Sequence, residues 1–256
     1  MGQQPPPGIP GWARTLEQGT GRVVLLPDRV RLLRPSADKS AYANAQLYDR
    51  EGVLGWRPPL VLTIRARFSH PLARLRGTAG FGFWNAALTP GVRGLRAPRT
   101  AWFFFGGPPH DVPLTIGVPG RGFKAAILDA QRPAFYALLP AAPIGFLLMR
   151  SPALYRRLWP IAQRAIRARE ALLDHLDVTA PHTYTLHWED RDARFAVDGA
   201  TVLEAPAPAG PLRFVAWIDN AYAVATPRGR FGLGQVGEPE AQWLDVESIV
   251  LEEGAA

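Results

Sequence analysis

The chain contains no cysteine. That excludes a disulfide scaffold, a thiolate nucleophile and a cysteine-ligated zinc site together. Lysine is nearly as scarce: of 29 basic residues only Lys39 and Lys124 are lysines, so arginine carries the positive charge. The five histidines (His70, His110, His175, His182 and His187) include no H-x-x-x-H or similar pair, and neither a metal nor a cofactor is expected. Long unbroken apolar runs are missing too. The longest, Ala134 to Met149, is interrupted by Pro140, Pro143 and Gly145 and falls short of the ~20 residues of a spanning helix. Met1 to Trp12 has no basic region and no apolar stretch of signal-peptide type, so a cytoplasmic protein is the expectation.

What the chain does have points to strands. Its 256 residues are 47% hydrophobic, enough for one domain with a sizeable core, and 26 Pro and 25 Gly argue for short elements joined by turns. Val23 to Leu26 and Val30 to Leu33, around Pro27-Asp28, read as a hairpin. Leu60 to Phe68 alternates, with Ile64, Ala66 and Phe68 on one face and Arg65 and Arg67 on the other. Gly80 to Ala86 and Thr100 to Gly106 are almost continuously apolar, as central strands would be. Thr183 to Trp188, Ala193 to Val197, Leu212 to Ile218 and Leu244 to Leu251 complete at least eight strands, and Asp198-Gly199 marks a tight hairpin turn. Residues 1–21 read as an extended or disordered lead-in to a single domain spanning 22–253.

One segment breaks the pattern. Between Lys124 and Asp177, Ser151-Pro152 reads as a helix start, and Leu154, Leu158, Ile161, Ala165, Leu172 and Leu176 recur at helical spacing. A helical insertion at about 124–177 follows. Arg121 to Arg169 holds nine basic residues and one acid, Asp129, which exceeds the whole chain's net charge of +7. A nucleic-acid binder spreads its basic residues along a face, so this concentration argues against nucleic acid as a partner.

The segment Pro181 to Gly199, PHTYTLHWEDRDARFAVDG, resembles the "F-H-x-Y-x-I-x-W … F-x-V-D-G" hairpin of glycoside hydrolase family 16. Ser40 to Asp49, Leu62 to Phe68, Gly80 to Leu88 and Gln242 to Glu253 are similar, in the same order, to other strands of that family. The resemblance implies an all-β, two-sheet antiparallel sandwich, a jelly roll of the concanavalin A-like type, with a concave ligand-binding face. It also implies where two catalytic carboxylates should stand. Retaining glycosidases need them about 5–5.5 Å apart, and the family carries both on one strand. The matching stretch here, Arg99 to Gly107, contains no acid. A family 16 two-carboxylate glycosidase is therefore not expected.

Aromatic residues stand where the acids would be. Alternation puts Trp102 and Phe104 on one face and Phe103 and Phe105 on the other, so one pair enters the core and the other lines the concavity. Trp84 and Asn85 on the neighbouring strand join the candidate ligand-binding residues, with Trp217 and Asn220 further along. Arg228 and Arg230, on a rigid turn, suit an anionic group of a ligand. His110, Asp111 and Asp219 are the candidate catalytic residues, since a histidine beside an acid at a cleft mouth is the arrangement of a proton shuttle.

The expected function is binding of a carbohydrate or a partly apolar small molecule on an aromatic concave face, in a catalytically divergent jelly roll. Two rivals stand beside it. One is an enzyme doing acid–base chemistry with His110, Asp111, Asp219 and Asn220. The other is a membrane-surface protein docking through residues 124–177, where the same helical stripe would alternatively form a lid, with Leu154, Leu158 and Ile161 over the aromatic floor.

Overall fold

Alternating side chains become sixteen strands in a computed structural model, which describes residues 5–36, 39, 41–49, 55–85 and 96–254. In chain order these begin with β1 (Arg14–Gly19), β2 (Arg22–Leu25), β3 (Val30–Arg34), β4 (Ala43–Tyr48) and β5 (Leu60–Phe68). They continue with β6 (Thr78–Trp84), β7 (Arg99–Gly106) and β8 (Gly122–Asp129). Three helices intervene: α1 (Pro133–Leu138), α2 (Ala142–Leu148) and α3 (Pro152–Ala165). After them come β9 (Arg169–Leu172), β10 (His182–Trp188), β11 (Asp192–Val197) and β12 (Ala200–Pro206). The last are β13 (Arg213–Asp219), β14 (Ala221–Ala225), β15 (Phe231–Gln235) and β16 (Gln242–Glu253).

Two seven-stranded sheets form, ordered β1-β4-β13-β6-β7-β8-β9 and β12-β11-β10-β5-β16-β3-β2, with β14-β15 a separate hairpin. Their pairings are antiparallel, and the two sheets pack face to face as the expected jelly-roll sandwich with one helical insertion. The β11–β12 connection is the tight turn read from Asp198-Gly199: both residues have positive φ, 49° and 81°, as a type I′ turn requires. Ser40 and residues 86–88, which carry part of the family resemblance, lie outside the described residues.

Two boundaries change. The insertion is shorter than 124–177, because Gly122–Asp129 and Arg169–Leu172 extend the first sheet as β8 and β9, leaving residues 130–168. The domain also begins before residue 22. β1 pairs along β4, Ile9 is buried, and the Trp12 ring packs edge-on against Trp56 and Phe214 at 5.5 and 5.3 Å.

Pleating decides what fills the sandwich. From β7, Ala101, Phe103 and Phe105 point inward, joined by Phe81 and Phe83 of β6, Phe123 of β8, and Tyr184 and Phe195 of the opposite sheet. Phe103 is the hub, with ring centroids at 5.6 Å from Phe81, 5.0 Å from Tyr184 and 5.2 Å from Phe195. The insertion makes its own small core, in which Met149, Trp159 and Ile166 pack with Ala130, Ala168 and the outer-face Leu128 of β8. It therefore stands beside the sheet rather than over its centre. Ile161, expected as part of a lid packed over the aromatic floor, is 51% exposed. Because Phe103 touches both sheets, Phe103→Ala should cost about 3–5 kcal/mol of stability, read as a lowered urea midpoint, while Trp102→Ala on the opposite face should cost clearly less.

Candidate functional site

The outer face of the first sheet carries a run of rings. Trp84, Trp102 and Phe104 are half-buried, and Trp217 lies deeper. Trp102 stacks on Phe104 at 5.3 Å and 28°, meets Trp217 at 5.2 Å and Trp84 at 6.4 Å, and Phe104 adjoins Trp217 at 6.0 Å. Space for these rings comes from β6. Register places Gly80 between Trp217 and Phe104, and Gly82 directly across from Trp102. A β-carbon on Gly80 would sit 3.0 Å from Trp217 Cη2, and one on Gly82 2.7 Å from Trp102 Cβ. The bare Gly80 thus leaves room for the Trp217 indole, and at both glycines the β7 backbone also approaches too closely for a side chain. Gln46 of β4, opposite Trp217, adds a half-buried amide at the margin.

At one end of this face sits His110. Its ring packs on Phe104 at 5.1 Å and directly over Gly106, and Nδ1 accepts a hydrogen bond from the Ala223 amide at 3.3 Å. That bond leaves the ring proton on Nε2. Burial, reinforced by the charge of Lys124, pushes the imidazole down to about 4, so it is neutral at physiological pH. Asp111 uses its backbone to bridge β14, donating to Ala223 O and accepting from Ala225 N, both at 2.9 Å. The loop pair expected to shuttle protons is thus an anchored neutral ring beside a backbone bridge.

Sequence reasoning missed the charged pair next to it. Lys124, directly across from Phe104, is buried and places Nζ 3.0 Å from Glu170 Oε1. Glu170 Oε2 accepts from the Leu114 and Thr115 amides at 3.3 and 3.0 Å, and Leu114 O accepts the Trp159 indole N–H at 3.0 Å. A buried ion pair is tolerated when such additional bonds complete it. One signal was available: Lys124 is a lysine in an arginine-dominated chain, and it is followed by the apolar run Ala125 to Leu128.

Asp219 shares the face but is fully engaged. Trp217 Nε1–H donates to Thr78 Oγ1 at 3.1 Å, and the Thr78 hydroxyl donates to Asp219 Oδ1 at 2.7 Å. The amides of Thr78 and Ala221 donate to the same oxygen at 3.3 and 3.0 Å, and the Tyr42 phenol also hydrogen-bonds the carboxyl group. Burial outweighs these bonds and raises Asp219 to about 6. His110 lies over β7 and Asp219 on β13, two strand spacings or roughly 10 Å apart. No hydrogen bond joins them among the described residues.

Three further expectations are corrected. The Asn85 amide serves Ala97 O and the Arg99 amide at 2.8 and 3.1 Å. Asn220 accepts from the Ala43 amide and donates to Ala41 O and Val236 O. Both are clamps for buried backbone groups, which must find partners inside the protein. Arg228 and Arg230 are exposed at the β14–β15 tip, where the Arg228 guanidinium lies 5.8 Å from the Tyr155 ring of α3.

No family model and no curated sequence matches the chain. Solved structures do. A chain from work on endo-acting O-glycanases of the human gut microbiota is similar at a TM-score of 0.51 and 11% identity, over 91% of this chain and 83% of that one. The exoplasmic/lumenal domain of VIP36, in its Ca2+/Man3GlcNAc-bound form, gives 0.51 and 12%, covering 96% and 85%. Laminarinase from Flavobacterium sp. UMI-01 gives 0.50 and 8%, covering 90% and 81%. At these identities the likeness is one of fold, that of a two-sheet jelly-roll sandwich.

Two predictions follow from this geometry. Glu170 and Asp219, the buried acids of the face, stand on β9 and β13, four strand spacings or roughly 19 Å apart. Retaining enzymes need about 5–5.5 Å and inverting ones about 6.5–9.5 Å, so incubation with laminarin or lichenan should release no reducing ends. The second concerns pH. His110 is depressed from 6.5 to about 4, so its contribution is intact above 6.5 and is lost as pH falls towards 4. Asp219 is raised from 3.8 to about 6, so its contribution is full below 3.8 and is lost as pH rises towards 6. The two oppose each other between about 4 and 6. Urea midpoints over that window should fall with rising pH in His110→Asn, which keeps an acceptor near Nδ1, and rise in Asp219→Asn.

Proposed function

We propose that the protein binds a saccharide, or a partly apolar small molecule with comparably flat faces, on the outer face of its first sheet. The observation that carries this reading is the continuous run of Trp84, Trp102, Phe104 and Trp217, three of them half-exposed, over the glycines of β6. Pyranose rings present flat C–H faces that stack on aromatic rings, and binding sites combine such apolar walls with a few fixed polar groups. Gln46 at the margin and the neutral His110 at the end of the run supply polar atoms for hydroxyl groups. An anionic ligand is disfavoured on the floor itself, because Lys124 is already compensated by Glu170.

Fold neighbours support the class of ligand without fixing it: the VIP36 domain is bound to Man3GlcNAc, and the other two structures concern O-glycanases and a laminarinase. The acid–base alternative has no comparable support, since the side chains of His110, Asp219 and Asn220 each hold a structural bond and His110 and Asp219 stand two strands apart.

Intrinsic tryptophan fluorescence, read against a panel of neutral oligosaccharides, tests the proposal. A binding saccharide should quench emission, and Trp102→Ala should weaken binding about tenfold, ~1.4 kcal/mol, while the chain stays folded. Quenching that survives both Trp102→Ala and Trp84→Ala unchanged would remove the aromatic face from recognition.

A further inference from the structure

The first two helices of the insertion bury little of their own apolar surface. α1 and α2, with sequences PAFYAL and APIGFLL, contain no buried residue. Tyr136 is 50% exposed, Leu139 47%, Ile144 65%, Leu147 61% and Leu148 43%. Soluble surfaces scatter such residues singly, and a contiguous cluster marks a contact.

A second, sequence-distant segment joins them. The β14–β15 hairpin brings Phe231 against Phe146 of α2, ring centroids 5.2 Å apart, and leaves Phe231 65% and Leu233 81% exposed. Arg228 approaches Tyr155 of α3, and Gly229 lies beside Phe146. Helices and hairpin tip therefore form one surface.

Its charge is one-sided. Residues 130–168 hold Arg132, Arg150, Arg156, Arg157, Arg164 and Arg167, and residues 221–235 hold Arg228 and Arg230. Neither segment contains an acid. No helix among the described residues is long and apolar enough to cross a membrane.

We infer that this composite surface docks the protein on an anionic lipid bilayer, with the apolar side chains of α1, α2 and the hairpin tip entering the headgroup region and the arginines meeting lipid phosphates and carboxylates. Two features select a lipid surface over a protein partner or a second copy. Six of these arginines (Arg150, Arg156, Arg157, Arg164, Arg228 and Arg230) are exposed and would repel their like across a symmetric interface, whereas an anionic leaflet complements them; the half-buried Arg132 and Arg167 donate to Arg164 O and Ala207 O. Arginine stems also let the charge reach headgroups while the side chain's apolar part lies against the membrane. The inference is independent of the ligand proposed for the aromatic face.

Co-sedimentation of the full chain with phosphatidylcholine vesicles, with and without phosphatidylserine, tests it. Binding should require the anionic lipid and weaken as salt rises towards about 0.15 M, where the Debye length is about 8 Å. Ile144→Asp with Leu147→Asp, and separately Phe231→Asp with Leu233→Asp, should each reduce partitioning at least tenfold. All four residues are exposed, so the folded state should survive, as checked by an unchanged urea midpoint. Absence of binding to anionic vesicles, or binding that neither double variant alters, would overturn the inference. So would a concentration-dependent dimer that both variants convert to monomer, which would make the surface an interface between copies.

Discussion

A pleated strand cannot place two successive side chains on the same side, and in β7 that rule falls on four consecutive aromatics. Phe103 and Phe105 go inward and become the centre of the sandwich, while Trp102 and Phe104 are turned out with nowhere to hide. The rest of the molecule answers that division. β6 supplies phenylalanines on the inner side and glycines on the outer side, the opposite sheet sends Tyr184 and Phe195 to meet Phe103, and β13 adds Trp217 to the outward run. The core and the candidate binding face are two consequences of a single alternation.

Alternation is also what made much of the fold readable. β5 shows it plainly, and Asp198-Gly199 announced the β11–β12 turn because few other residue pairs accept two positive φ angles. β8 was harder: GFKAAILD is apolar on both faces, so it merged with the insertion, and β9 has only four residues. The site was less readable still. Asn85, Asn220 and Asp219 stand out in apolar strands, and in sequence that reads as function. Buried backbone groups at strand ends make the same demand for a polar side chain, and here they are what the three residues serve. The Lys124–Glu170 pair escaped notice because its members are separated by the whole insertion and become neighbours only when β9 closes on β8.

The loop between β7 and β8 ties the separate parts together. His110 closes one end of the aromatic run, Asp111 carries the hairpin, the Leu114 and Thr115 amides complete the buried ion pair, and Leu114 O holds α3 through Trp159. Each of these bonds uses a main-chain group or a neutral ring. The loop's one charged partner, the Glu170 carboxylate, is buried with Lys124, so salt screens these contacts less than it screens the exposed arginine-rich surface.

The glycine row of β6 has a consequence for how such a protein can change over generations. Gly82 has a φ of +145°, and a β-carbon there would meet Ala101 O at 2.5 Å, Trp102 Cα at 2.6 Å and Trp102 Cβ at 2.7 Å. The first two are main-chain atoms of β7, so they remain whatever residue stands at 102. Any side chain at 82 is therefore excluded by the backbone of the neighbouring strand, and no change at 102 restores room for one. Diversification of the face is confined to the residues that flank this glycine and to its margins, at Trp84 and Gln46.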